Sequence, residues 1–361
     1  MEEHICETIR AEIVAGKRSS GARLPSVGEL ARRFGTTSGP VGEAIVRLEQ
    51  LGYVEINEKG EVFVTEDLPH VTLSRTIAVG LGAGKHVWGE LADLLGTMVQ
   101  SDERIPIFFD ADDEDGRQQL MRLGRSEVQA FIVRGSGGFP YSILESELFA
   151  NKIIVGIAEW QGPELPGMMR VLSDYEAGAR ELARYLFQRG HRRALVMAPA
   201  GYGSVSEDLE ETSSGDGLFD PLQPREAFIY EWRKLGGEFQ PVSVPHSVEV
   251  LPRLNEEEIL SSFQQDKHPT VVFSTLDVIS FTTQRLLRQD HPELADEVEF
   301  AGFYDTPWSQ VGIPPFTSVN LQLQELAVRA HRMLQKALAG QDIGDTVEIV
   351  KPRVVVRNEK Q

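Results

Sequence analysis

The residues of this chain with types suited to chemistry are those that follow its apolar runs. Lys85, Trp88, Asp110, Arg134, Glu159 and Trp160 do so in the first half of a long region, and Tyr202, Arg225, Asp277 and Asp305 in the second. In open parallel sheets ligands bind beyond the carboxyl ends of the strands, so these positions are candidates for a binding site. They mix ring faces with carboxylates and cations. That suits a sugar or similar polyol, whose ring packs on aromatic side chains while charged groups share its hydroxyls. Asp277 has a structural alternative as a helix N-cap, and Trp88 as a core residue of its helix.

The same residues offer binding rather than catalysis. Eight histidines show no metal spacing, and no Gly-x-Ser-x-Gly elbow occurs. Gly80-Leu81-Gly82-Ala83-Gly84 lacks the acidic residue that completes a dinucleotide turn. Cys6 is the only cysteine, which excludes an internal disulfide and a cysteine-based metal cluster. We expect no cofactor, no metal and no enzymatic activity.

The elements that must position these side chains alternate. Apolar runs at 77–79, 105–109, 130–133 and 153–157 alternate with helical stretches at 88–99, 116–123 and 142–148. A second series comes after them, with helices expected at 177–187, 225–235, 256–264 and 279–287 and strands at 194–198, 270–274 and 299–303. This is the pattern of parallel α/β sheets, and two such halves imply two lobes and a cleft. Residues 201–224 are longer than a strand-to-helix loop needs and rich in Gly, Ser and acid, so a lid and an inert insertion are both open.

The first 68 residues are of another kind. Ile5, Ile9 and Ile13 mark one helix; Leu30, Ala31 and Phe34 mark a second, closed by Gly35; Val41, Ala44, Ile45, Leu48 and Leu51 mark a third, ending at Gly52. Two β-prone runs at 53–56 and 62–64 then flank a turn, which predicts a two-stranded wing. A helix-turn-helix presents the first turns of its second helix to the major groove, here about residues 38–43.

These spacings resemble the winged-helix domain of the GntR family of bacterial regulators. The matching residues are Leu24-Pro25-Ser26, Glu29-Leu30-Ala31, Phe34-Gly35, Val41, Glu43-Ala44-Ile45, Arg47-Leu48 and Leu51-Gly52. The resemblance implies contacts to operator DNA from Arg23, Ser26, Arg32, Arg33, Thr37, Ser38, Arg47 and Lys59. It also exposes departures: Gly28, Ser38 and Gly42 stand where the family carries arginine, and Glu61 where it carries a wing glycine.

The region from 76 to 357 is similar to the sensor domain of the LacI and galactose repressor family, which has the periplasmic binding protein fold. The residues that carry this are Asp174 and Gly178, Arg189-Gly190-His191-Arg192-Arg193-Ala194, Thr275-Leu276-Asp277, Gly302-Phe303-Tyr304-Asp305 and Pro314-Pro315-Phe316-Thr317-Ser318-Val319. Leu276 replaces the family's asparagine and Tyr304 its aspartate. The resemblance implies an effector contact at Asp277, and another at Arg225.

The expected architecture is therefore α/β: a winged helix-turn-helix over 1–68, a linker over 69–75, and a two-lobed ligand-sensing domain over 76–361. Lobe 1 is expected at about 76–170 and 306–318, and lobe 2 at about 171–305 and 319–357. The expected function is that of a transcriptional repressor that answers to a sugar-like effector and binds paired half-sites as a homodimer. No apolar run is long enough to span a bilayer, and residues 1–12 lack the pattern of a signal peptide, so a cytoplasmic location is expected. Charge supplies the competing reading. The chain carries a net −19, and its first 68 residues hold eight Lys and Arg against twelve Asp and Glu, a net of −4. Phosphate contacts need cations, so the alternative is a small-molecule sensor whose head has lost specific DNA binding and acts through a protein partner.

Overall fold

A computed structural model describes residues 2–14, 18–19, 21–57, 59–65, 75–81, 87–110, 114–136, 139–199, 224–244, 254–264, 268–344 and 346–357. The expected linker falls almost wholly outside these, as do Lys85 and Tyr202.

The head comprises α1 (Glu2–Val14), α2 (Val27–Phe34), α3 (Ser38–Gln50), β1 (Val54–Ile56) and β2 (Val62–Val64). Ser26 starts α2 with a reciprocal capping box: its backbone N–H donates to the Glu29 carboxylate at 2.8 Å, and its hydroxyl accepts from the Glu29 N–H. Gly35 ends α2 at φ 63°, a left-handed C-cap that glycine adopts without steric cost. Ile5, Ile9 and Ile13 pack on Val41, Ala44, Ile45 and Leu48, all of them buried. The two-stranded wing is present, paired in register from Val54↔Val64 to Ile56↔Val62. The chain before α2 adds to it, since the N–H groups of Gly21 and Leu24 donate to Val64 and Val62. Periodicity could not show that addition, because three residues carry no pattern.

The sensor runs β3 (Thr76–Gly80), α4 (Val87–Ser101), β4 (Ile105–Phe109), α5 (Glu114–Arg125), β5 (Ala130–Gly135), α6 (Tyr141–Leu144), β6 (Ile153–Trp160) and β7 (Met169–Ser173). It continues with α7 (Tyr175–Gln188), β8 (Arg193–Pro199), α8 (Pro224–Lys234), β9 (Glu238–Val244), α9 (Glu256–Phe263), β10 (Val271–Ser274), α10 (Asp277–Asp290), α11 (Pro292–Glu297) and β11 (Glu299–Phe303). The last elements are α12 (Pro307–Val311), β12 (Thr317–Asn320), α13 (Leu323–Leu338), β13 (Val347–Val350) and β14 (Arg353–Val355). The helix expected at 142–148 is split. Extended backbone at Ser146 separates α6 from a 3₁₀ turn at Glu147–Phe149.

Two six-stranded sheets result, ordered β13-β7-β6-β5-β3-β4 and β14-β12-β11-β10-β8-β9, with every pairing parallel except β12 to β14. Helices cover both faces, so strands bury both sides and read as continuous apolar runs: Val271 and Phe273 enter one core, Val272 another.

Sheet membership corrects the expected lobe boundaries. Residues 306–318 do not return to lobe 1, because β12 pairs with β11 of the second sheet; the chain crosses back only after it. α13 and β13 then belong to lobe 1, and β14 returns to lobe 2. The chain therefore passes between lobes three times, at Asp174, at 321–322 and at 351–352, and the Asp174 N–H donates to Val350 O at 3.0 Å to tie two crossings together.

Candidate functional site

The carboxyl ends of both sheets face the three crossings, and here side chains of the two lobes meet. From lobe 1, a register shift between β5 and β6 moves the pairing from Val133↔Gly156 to Gly135↔Trp160. Such irregularities re-aim side chains. Here it sets Arg134 beside Glu159 in an ion pair whose members are 10% and 16% exposed. Arg134 also donates to Leu81 O at 2.7 Å and lies 4.7 Å over the Trp88 ring. From lobe 2, Tyr304 meets Trp88 edge-on at 6.1 Å and Tyr175 edge-on at 6.2 Å. Of the residues the sequence selects, Trp88, Arg134 and Glu159 are thus brought together. Tyr304 and Tyr175 join them.

Other selected residues are engaged elsewhere. Asp277 is 1% exposed, and its carboxylate accepts from the Ser318 hydroxyl at 2.6 Å and from the Thr306 N–H and hydroxyl at 2.6 and 2.8 Å. Burial pushes its pKa up to about 7 against the pull of those donors. The expected effector contact at Asp277 is therefore corrected: this carboxylate fastens the chain after β11, and a Cβ on Gly302 would run into it. Asp305 is spent likewise, on Arg357 at 2.6 Å and Asn320 at 2.8 Å. Trp160 is core, 3% exposed beside Phe139 and Tyr141, with its indole N–H donating to Pro163 O at 3.0 Å. Arg225 is 5% exposed and pairs with Glu226, and Asp110 is half-buried just after β4.

Strand-end reasoning reached Asp305 but passed over Tyr304, which directly follows the same apolar run. Its signal lies in the backbone: Tyr304 at φ 90° and Asp305 at φ 55° are both left-handed without being glycine. Non-glycine residues persist there only when surroundings hold them. The Tyr304 N–H donates to Val319 O at 2.8 Å and the Asp305 N–H to the Ser318 hydroxyl at 3.0 Å.

In the head, Thr37 and Ser38 at the start of α3 are exposed, as are Arg32, Arg47 and Lys59. Ser26 is occupied as the cap of α2. The remaining expected contacts are tied to acids of the head itself. Arg33 pairs with Glu12, which also takes Arg18 at 2.9 Å, and Arg23 pairs with Glu61 at 2.8 Å. The guanidinium of Arg33 is the main cause holding Glu12 down at about 2. Gly28 and Gly42 have nothing within 4 Å of where a side chain would begin. Those two positions face open space.

Residues 1–64 match the family described as bacterial regulatory proteins, gntR family, and residues 183–358 match the periplasmic binding protein-like domain. A comparison with curated protein sequences found no match. Among solved structures, a periplasmic binding protein/LacI transcriptional regulator from Alkaliphilus metalliredigens QYMF, complexed with D-xylulofuranose, is similar at TM-score 0.60 and 16% identity, covering 78% of this chain and 98% of that one. A LacI family regulator from Arthrobacter sp. FB24 in complex with lactose gives TM-score 0.62 at 12% identity over 79% and 99%. The transcriptional regulator CelR–cellobiose complex gives 0.59 at 14% over 92% and 99%. At these identities the likeness speaks for the fold. The chain thus joins a head that matches the gntR family of bacterial regulatory proteins to a domain that matches the periplasmic binding protein-like family and shares its fold with LacI-type regulators of known structure.

Proposed function

We propose that this chain is a transcriptional repressor that binds operator DNA through its head and senses a sugar or similar small polar molecule in the cleft between its lobes. The observation that carries the reading is the meeting of Trp88, Arg134 and Glu159 of lobe 1 with Tyr304 of lobe 2 beside three chain crossings. A molecule bound there touches both lobes, so it biases their relative position. In chain order the head precedes β3 of lobe 1, so on this reading a change in lobe position is passed to the head through the segment that joins them. Three neighbours of this fold hold D-xylulofuranose, lactose and cellobiose, which supports a sugar-type effector. No helix among the described residues is long and apolar enough to cross a membrane, and operator binding requires the cytoplasm. The test is binding of genomic DNA fragments by anisotropy at low salt, with and without a sugar panel. Fragment-specific binding that a sugar alters is expected.

A second reading is favoured by one observation: Glu12 and Glu61 hold three of the head's cations. On that reading the head engages a protein partner. Failure to bind any fragment at low salt, with the fold intact, would select it.

Paired half-sites call for a homodimer. We assign its contacts mainly to the sensor, where edge strand β4 exposes Ile105 and Phe108, 42% and 47% accessible, along an unpaired backbone. Phe108→Asp should convert the dimer to a monomer by light scattering at micromolar concentration. A wild-type monomer, or a variant that stays dimeric, would remove this assignment.

A further inference from the structure

Trp88 of lobe 1 and Tyr304 of lobe 2 are both half-buried, and their rings meet edge to face at 6.1 Å with an interplanar angle of 80°. That separation lies in the range where aromatic pairs attract. Each ring is also held in place by its own lobe. In lobe 1 the Arg134 guanidinium lies 4.7 Å over the Trp88 ring and is itself fixed by Glu159 and by its bond to Leu81 O.

In lobe 2 Tyr304 is fastened to the crossings. It packs edge-on against Tyr175, which directly follows the crossing at Asp174 and stacks on Phe303 at 6.1 Å. Its neighbour Asp305 accepts from the Asn320 amide at 2.8 Å. The Asn320 oxygen in turn accepts from the backbone N–H and the amide of Gln322, in the crossing at 321–322, at 2.8 and 2.7 Å. Left-handed backbone gathers here too. Among the described residues five that are not glycine adopt it, and four of these, Ala158, Tyr304, Asp305 and Gln322, stand at or just beyond the carboxyl ends of the strands. Such strain persists where the surroundings impose it, and it clusters at clamps and switch regions.

We propose that Tyr304 is a latch between the lobes, its ring seated on Trp88 so as to hold the two lobes together. Both rings are set by their own lobes, so making the contact costs little ordering of side chains, and breaking it returns two ring edges to water. The latch does not depend on which effector is sensed. On the reading of the cleft as the effector site, a molecule that takes hydrogen bonds from Arg134 or Glu159 acts on the support of Trp88, which places the latch under its control.

The test measures the distance between the lobes of the full chain, with no ligand added. Spin labels go on Arg122→Cys in α5 and Arg285→Cys in α10, both exposed, with the buried Cys6 replaced by alanine. Dilution in excess unlabelled chain leaves the distance within one chain to be read by pulsed electron resonance. Tyr304→Asn, whose side chain tolerates left-handed backbone, is expected to raise the population at longer distance roughly fivefold, the worth of one aromatic pair. Trp88→Leu should do the same from the other lobe, and the double variant should open no further than either single one. Tyr304→Phe keeps the ring and should stay closed. Unchanged distances in Tyr304→Asn or in Trp88→Leu overturn the proposal, as does a double variant that opens further than both. A Tyr304→Phe variant as open as Tyr304→Asn overturns it as well, since the ring would then not be what holds the lobes. Should Tyr304→Asn fail to melt cooperatively, Trp88→Leu and Tyr304→Phe decide. Failure of the latch leaves the sugar-sensing reading standing, because that reading is tested by the DNA and sugar titrations.

Discussion

Raising the pH from about 3.8 to about 7 should cost the sensor about 4 kcal/mol of unfolding free energy through Asp277 alone, and Asp277→Asn should remove that loss. Burial lifts the folded pKa of this carboxyl above its unfolded value. Between the two values the folded chain holds a proton that the unfolded chain has released, so stability falls as pH rises through the window. Above about 7 the buried charge is present and its full cost falls on the folded state.

Asparagine fits the geometry. Its carbonyl oxygen can accept from the Thr306 N–H and hydroxyl, and its amide can donate to the Ser318 oxygen once that hydroxyl turns. Alanine cannot, since it leaves the half-buried Thr306 N–H and the buried Ser318 hydroxyl without their acceptor and should cost stability at every pH. Glu12 and Glu299 act in the opposite sense, their carboxyls being held below the ordinary value, but their contribution is lost only as pH falls toward the acid end. Urea unfolding of wild type and Asp277→Asn between pH 4 and 8 isolates Asp277 as the difference between the two curves, because the other titrating groups, including the His191–Glu299 and His331–Asp102 pairs, are common to both. A wild-type curve flat across that range, with Asp277→Asn less stable at pH 8, would mean that the three donors fully compensate the charge.

Why Asp277 was readable as a strand-end aspartate and unreadable as a fastener shows where sequence reasoning stops. Its position comes from an apolar run and a helix pattern, which are local. Its partners, Thr306 and Ser318, lie 29 and 41 residues away, and no spacing announces them. The fold was legible for the same reason in reverse: strands buried on both faces leave continuous apolar runs and helices leave apolar stripes, as β10 and α3 do. The lobe assignment of β12 carried no such mark, because a four-residue strand fits either sheet until its neighbours are known. The Arg134–Glu159 pair depends on a register shift, which a sequence read as runs cannot show. Head contacts failed differently. Arg33 and Arg23 sit where cations belong, yet each is held by an acid that counts only as net charge until the fold brings it near.

That distribution of charge supports the second large effect, expected in DNA binding. Restoring arginine at Gly28, Ser38 and Gly42 together should tighten binding to any duplex and steepen the log-log dependence on salt by about 2.7, since each neutralised phosphate contributes roughly 0.9. The scaffold can take the change. Gly28 and Gly42 face open space, Ser38 is exposed at the start of α3, and none of the three belongs to the buried stripe of Val41, Ala44, Ile45 and Leu48. Glu2 and Glu43 line the same surface hollow as Gly42, so an arginine there has acids within its neighbourhood, whereas Arg33 is already paired and must leave Glu12 before it can reach a phosphate. Glu12→Gln therefore serves as the companion variant: it frees Arg33 and Arg18 without adding charge to the groove face, and should steepen the slope by less than the triple change. Salt titrations by anisotropy on one fixed duplex give both slopes. If the triple variant folds like the wild type and its slope does not move, these positions lie away from the phosphates and α3 does not enter the groove by its first turns. If Glu12→Gln alone gives the larger gain, the head's own carboxylates limit its hold on DNA more than the missing arginines do.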